Sequence, residues 1–248
     1  MRPVVSVALA LALGLLAACR KPATVADAGA APPPPHAGVK APCASFLACQ
    51  AACDAKDGLA CARAASFAFA GVGAARDVPL AWRLEWRGCE AGHGASCARV
   101  GLSAAAGLAS LDAGIAKDAL GRAGPLVRTA CEAGDAEACE LTAALARAGH
   151  LEADAGTFTS RARTLLGAAC DAGDAQACNR LGSLLFETET DSSAAVAALD
   201  RGCTLGLAGA CATLGLRYLA GKGVAADAPK AQKLLARARL LSADAGAP

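Results

Sequence analysis

Two cysteines separated by seven residues recur five times in this chain: Cys53 and Cys61, Cys89 and Cys97, Cys131 and Cys139, Cys170 and Cys178, Cys203 and Cys211. On one uninterrupted helix each pair would be about 12 Å apart, at ~1.5 Å of rise per residue. A disulfide needs Cα atoms within roughly 7 Å. The chain therefore has to reverse direction inside every pair. Gly92, Gly134, Gly173 and Gly206 stand three positions after the first cysteine, where a helix end calls for positive φ. Asp135 and Asp174 follow directly as N-caps for the next helix. The first copy departs from this pattern and carries Lys56 at the glycine position.

Successive first cysteines lie 36, 42, 39 and 33 residues apart, the range in which one repeat is one supersecondary unit stacked into a solenoid. Ten residues after the second cysteine come Gly71, Gly107, Gly149 and Gly221, with Thr188 in the fourth copy. This predicts a helix, here helix A, from just before each second cysteine to that glycine. A second helix, B, then runs to the next first cysteine, with Pro79 and Pro229 in first turns where the missing N–H costs nothing. Each bridge is expected to clamp helix B of one unit to helix A of the next. On the chain-entropy model a loop of this size is worth roughly 2.5 kcal/mol. The predicted fold class is all-α, a solenoid of helical hairpins stapled by disulfides.

Residues 1–18 place Arg2 before an apolar run from Val4 to Ala18, the make-up of a signal peptide and short for a membrane span. Leu16-Ala17-Ala18-Cys19 resembles a bacterial lipoprotein box, which makes Cys19 the lipidation site; the other reading is a plain secretory signal cut nearby. Residues 19–42 turn to Ala, Gly and Pro, including Pro32 to Pro35, and predict a semi-extended tether. His36 lies there, read as solvated. The folded part is expected over 43–246, about five repeats behind a capping helix. Of 13 cysteines, assigning Cys19 to lipid leaves an even number, as suits an oxidising compartment. Cys43 and Cys49 fall outside the repeat spacing and pair either with each other or with another chain.

Aligned from its cysteine, helix A is small four residues on, at Ala65, Gly101, Ala143, Gly182 and Gly215, which allows close helix approach. One position earlier, Ala64, Val100, Thr142, Leu181 and Leu214 are expected in the core. The last copy reads Leu-Gly-x-x-Tyr-x-x-Gly-x-Gly-Val-x-x-Asp-x-x-Lys-Ala from Leu214 to Ala231. This resembles the Sel-one-like repeat (SLR), a relative of the tetratricopeptide repeat (TPR). The first copy keeps Gly71-Val72-Gly73, Asp77 and Ala81 of the pattern. With Cys-x7-Cys at every junction, the chain is similar to the secreted cysteine-rich SLR proteins of the Hcp type. The resemblance covers about residues 53–241. It implies a right-handed α/α superhelix with helix A lining the concave side.

Two positions after the second cysteine stand Arg63, Arg99, Leu141, Arg180 and Thr213. Arg63, Arg99 and Arg180 form either a ladder that receives carboxylates, which guanidinium binds two-pronged, or an ordinary solvated face. Trp82 and Trp86, four apart on one helix face, are either a partner contact or packing beneath a neighbouring repeat. No Ser-x-x-Lys, Lys-Thr-Gly or Gly-x-Ser-x-Gly occurs. His36, His93 and His150 form no zinc motif, and there is no Cys-x-x-Cys, so no metal or cofactor is expected. With 24 Lys plus Arg against 22 Asp plus Glu and 3% aromatics, the chain lacks the footprint of nucleic-acid binding. The expectation is an exported, lipid-anchored scaffold at the outer membrane or its periplasmic face, binding an envelope protein or peptide. Family analogy alone supplies an alternative, a weak penicillin-binding or β-lactam-hydrolysing protein.

Overall fold

A computed structural model describes residues 43–109, 111–188 and 192–245, with side chains to Ser242. The leader, Cys19, the tether and His36 lie outside the described residues. Eleven helices are present among those described. The first, α1 (Phe46–Asp54), precedes five hairpins. These are α2 (Gly58–Ala70) with α3 (Val78–Glu90), α4 (Gly94–Ala105) with α5 (Ala113–Glu132), α6 (Ala136–Arg147) with α7 (Ala155–Asp171), α8 (Ala175–Thr188) with α9 (Ser193–Thr204), and α10 (Ala208–Ala220) with α11 (Ala228–Ala245). Substantial contacts join only helices one or two places apart in the chain, the one-dimensional packing of a repeat array.

Aspartate opens helix after helix. Asp57, Asp77, Asp135 and Asp227 each accept from the backbone N–H three residues on, and Asp174 accepts from Gln176 and Ala177. Each satisfies a donor that the first turn leaves orphaned. The reversal between paired cysteines is a two-residue turn closed by backbone bonds, as at Gly134, where Gly134 donates to Cys131 and Asp135 to Ala130. Gly134 sits at φ 96°, a conformation that clashes for residues with a Cβ. Lys56 takes φ 64° at the equivalent place, so the first copy keeps the turn with a side chain present.

The turns bring every Cys-x7-Cys pair to Cα separations of 4.5 to 4.6 Å, each forming a disulfide. Cys43 pairs with Cys49 at 5.0 Å, choosing between the two alternatives open in the sequence. All ten repeat cysteines are buried, so the bridges belong to the core.

That core is built from alanine, leucine and sulfur in a strip along the stack. Ala64, Val100, Thr142 and Leu214 are fully buried as expected. Leu181 is only half-buried. The small column works by close approach. A Cβ on Gly101 would come 2.6 Å from Leu120, and one on Gly182 2.6 Å from Leu199. The B helix therefore lays a leucine directly over the A-helix backbone.

Candidate functional site

The A helices α2, α4, α6 and α8 line one groove of about 940 Å³. Arg63, Arg99 and Arg180 all reach it, because each sits two residues after a cysteine held in the same place by its bridge. Two of the three arginines already bind carboxylates of the chain itself. Arg99 binds Glu85 through two hydrogen bonds of 3.0 and 3.1 Å and reaches Glu137 at 2.5 Å. Arg180 donates its Nε to Glu140 at 2.9 Å and lies 3.6 Å from Glu137. Arg63 has no ion-pair partner among the described residues.

The origin of the network is visible in the repeat register. The third copy is the one between Arg99 and Arg180, and it carries Leu141 in the arginine column. That same copy supplies Glu137 and Glu140 to the arginines on either side. Glu85 is the other surprise. It stands four residues before Cys89, where later copies have Val127, Leu166 and Leu199, and it is only 3% exposed. A carboxylate buried to this degree requires a partner, which Arg99 provides. Sequence reasoning missed Glu85, although a charge in an otherwise aliphatic column was available as the signal.

Around Arg99 the groove is electrically layered. His93 precedes α4, and its Nδ1 lies 2.9 Å from Ser96 Oγ, which also accepts from Arg99 at 3.4 Å. Burial, reinforced by the nearby Arg99 charge, holds the His93 pKa below the usual histidine value. A serine beside an imidazole beside a carboxylate looks like nucleophilic machinery. Ser96 is 0% exposed, however, and it packs on Gly88, where an added Cβ would meet its hydroxyl at 2.8 Å. No ligand in the groove can reach that oxygen, so the trio is structural. The groove-lining Ser66 donates its proton to the Ala62 carbonyl at 3.1 Å. Glu140 is pushed up from the ordinary carboxylate range by burial, against the pull of Arg180.

Trp82 and Trp86 are both half-buried and pack within the stack. Trp82 meets Phe69 edge-on with ring centroids 5.0 Å apart, and both tryptophans pack against the core cluster of the following repeats. Arg122 lies over the Trp86 ring at 5.8 Å.

Among the described residues no helix is long and apolar enough to cross a membrane, and no cluster of three or more His, Cys, Asp or Glu side chains has metal-holding geometry. Neither a protein-family model nor any curated protein matches this chain. Among solved structures it is similar to a protective antigen present in uropathogenic Escherichia coli strains and displaying an SLR fold, with a TM-score of 0.38 and 22% identity, over 78% of this chain and 40% of that one. It is also similar to a Sel1 repeat protein from Oxalobacter formigenes, with a TM-score of 0.36 and 21% identity, over 75% of this chain and 71% of that one. The chain thus spans less than half the length of the first of these. In its own architecture it is an all-α stack of disulfide-linked helical hairpins whose six bridges are consistent with an oxidising, extracytoplasmic location.

Proposed function

We propose that this chain is an exported, lipid-anchored scaffold of the cell envelope that holds an extended segment of a partner protein in the groove of its A helices. The observation that carries the reading is a continuous groove, lined by four successive repeats, whose central charges are already matched to one another. At about 10 Å between neighbouring helices the groove runs roughly 30 Å, enough for about nine residues of extended chain at ~3.3 Å each. Glu85, Glu137 and Glu140 pair with Arg99 and Arg180 along its middle and leave a single negative charge over, so a ligand gains little there from net charge. It gains from backbone hydrogen bonds to groups fixed in advance, which reduces the ordering cost of binding. The bridges keep those groups in register. Lipidation at Cys19 and the 19–42 tether would present the groove away from the membrane.

The test fills the groove without touching its ion pairs. Ala144 and Ser183 are half-buried on its wall. Ala144→Trp and Ser183→Trp chains, shown by circular dichroism to be folded, are compared with the native chain in cross-linking and capture from envelope extracts. A partner bound by the native chain and lost by both variants supports the groove. Equal capture by all three places the contact elsewhere.

A further inference from the structure

The bridge outside the repeats differs from the others in its surroundings. The ten repeat cysteines are each 3% exposed or less, and Cys49 is 0% exposed. Cys43 is half-buried and lines a cleft of about 340 Å³ together with Arg63, Phe67, Ala70 and Val72. The Cys43–Cys49 bridge closes a short loop at the start of the stack and spans no hairpin. With it open, α1 is still tied to α2 by Cys53–Cys61. Arg63, without an ion-pair partner among the described residues, puts a positive charge in the cleft beside Cys43, the one cysteine among the described residues that is not fully buried.

We propose that Cys43–Cys49 is a thiol-exchange site selective for small anionic thiols. Exchange rates depend on access to the attacked sulfur and on the charge around it. The incoming thiolate attacks Cys43 Sγ. A disulfide forms between them, the Cys43–Cys49 bond breaks, and its electron pair leaves on Cys49 Sγ, which takes a proton from water. A second thiolate then attacks the small-molecule sulfur of the mixed disulfide. It releases Cys43 as a thiolate and leaves as the oxidised small disulfide, so two thiols supply the two electrons that reduce the bridge. Arg63 favours a carboxylate-bearing thiol by raising its local concentration, while Phe67, Ala70 and Val72 receive its carbon chain. The cleft shares Arg63 with the groove, but the exchange does not depend on any partner occupying the groove.

The purified chain is treated with 3-mercaptopropionate or with cysteamine at matched thiolate concentration. Exposed thiols are then trapped with an alkylating mass tag and mapped by peptide. Cys43 and Cys49 are expected to be tagged at least about tenfold faster than any repeat cysteine, faster with mercaptopropionate than with cysteamine, and with helical circular dichroism unchanged. Arg63→Ala removes the preference for the anionic thiol and Arg63→Lys retains it. Cys43→Ser with Cys49→Ser abolishes the fast phase. A repeat bridge that opens as fast as Cys43–Cys49 overturns the proposal, and so do equal rates for the two thiols on the native chain.

Discussion

Arg99 grips Glu85 with two parallel hydrogen bonds, Nε to Oε1 at 3.0 Å and Nη2 to Oε2 at 3.1 Å, from the helix that follows Glu85's own. Glu85 occupies the inward column that Val127, Leu166 and Leu199 fill in later copies. The pair therefore substitutes for an aliphatic contact at the same place in the stack.

Breaking that pair from one side leaves a buried charge alone, which costs about 3 to 5 kcal/mol. Arg99 retains partial solvent access and Glu137, so the expected loss for Glu85→Ala is about 3 kcal/mol, the lower end of that range. Restoring the repeat pattern with Glu85→Leu and Arg99→Leu together should recover most of it. Urea unfolding with bridges intact measures both. Equal losses for the single and double variants would rule out the substitution account.

The glycines of the small column are distinguishable from those that face open space. Gly182→Ala forces a methyl against Leu199 Cγ and the Ala195 carbonyl, and overpacking of this kind costs about 1 to 3 kcal/mol. Gly167, inside α7, has nothing within 4 Å of an added Cβ. Gly167→Ala should therefore stabilise by about 0.5 to 1 kcal/mol through the helix backbone. Opposite shifts in the unfolding midpoint are the expected result.

Removing one repeat bridge tests what the cysteines contribute. Cys131→Ala with Cys139→Ala should lower stability by about 2 to 3 kcal/mol. The same pair of changes at Cys43 and Cys49 should cost less, since that bridge spans no hairpin. Thermal midpoints of the two double variants decide the order.

His93 gives the fold a defined acid sensitivity. Its folded pKa lies below 6.5, from burial and then from Arg99, so the unfolded chain takes up the proton first. Above about pH 6.5 both states are neutral there and the residue adds no pH dependence. As the pH falls from 6.5 to the folded value, stability drops, and it levels off below. His93→Asn, which places a non-titrating residue favoured at a helix N-cap there, should flatten that part of the curve. Urea midpoints at about pH 7.5 and 5.5 compare the two chains across this window.

Much of the fold was legible because the bridges impose local geometry. Cys131 and Cys139 cannot meet unless Gly134 turns the chain, and Asp135 cannot cap α6 unless the helix starts where it does. The groove's address was legible for the same reason, since Arg63, Arg99 and Arg180 share a register. Their pairing was not. For Arg99 and Arg180 it draws on Glu137 and Glu140 arriving from the repeat between, 38 and 40 residues along the chain. Trp82 was ambiguous in the same way, because a helix face says nothing about which neighbour it meets.

From residues alone came the all-α hairpins, the turn positions and the cysteine framework, each governed by contacts within about ten positions of the chain. The tertiary structure decided that Cys43 pairs with Cys49, that Trp82 and Trp86 pack against the core of the following repeats, and that Arg99 and Arg180 are paired from within the stack. The last two depend on distances between repeats, which helix packing sets and which no local spacing encodes.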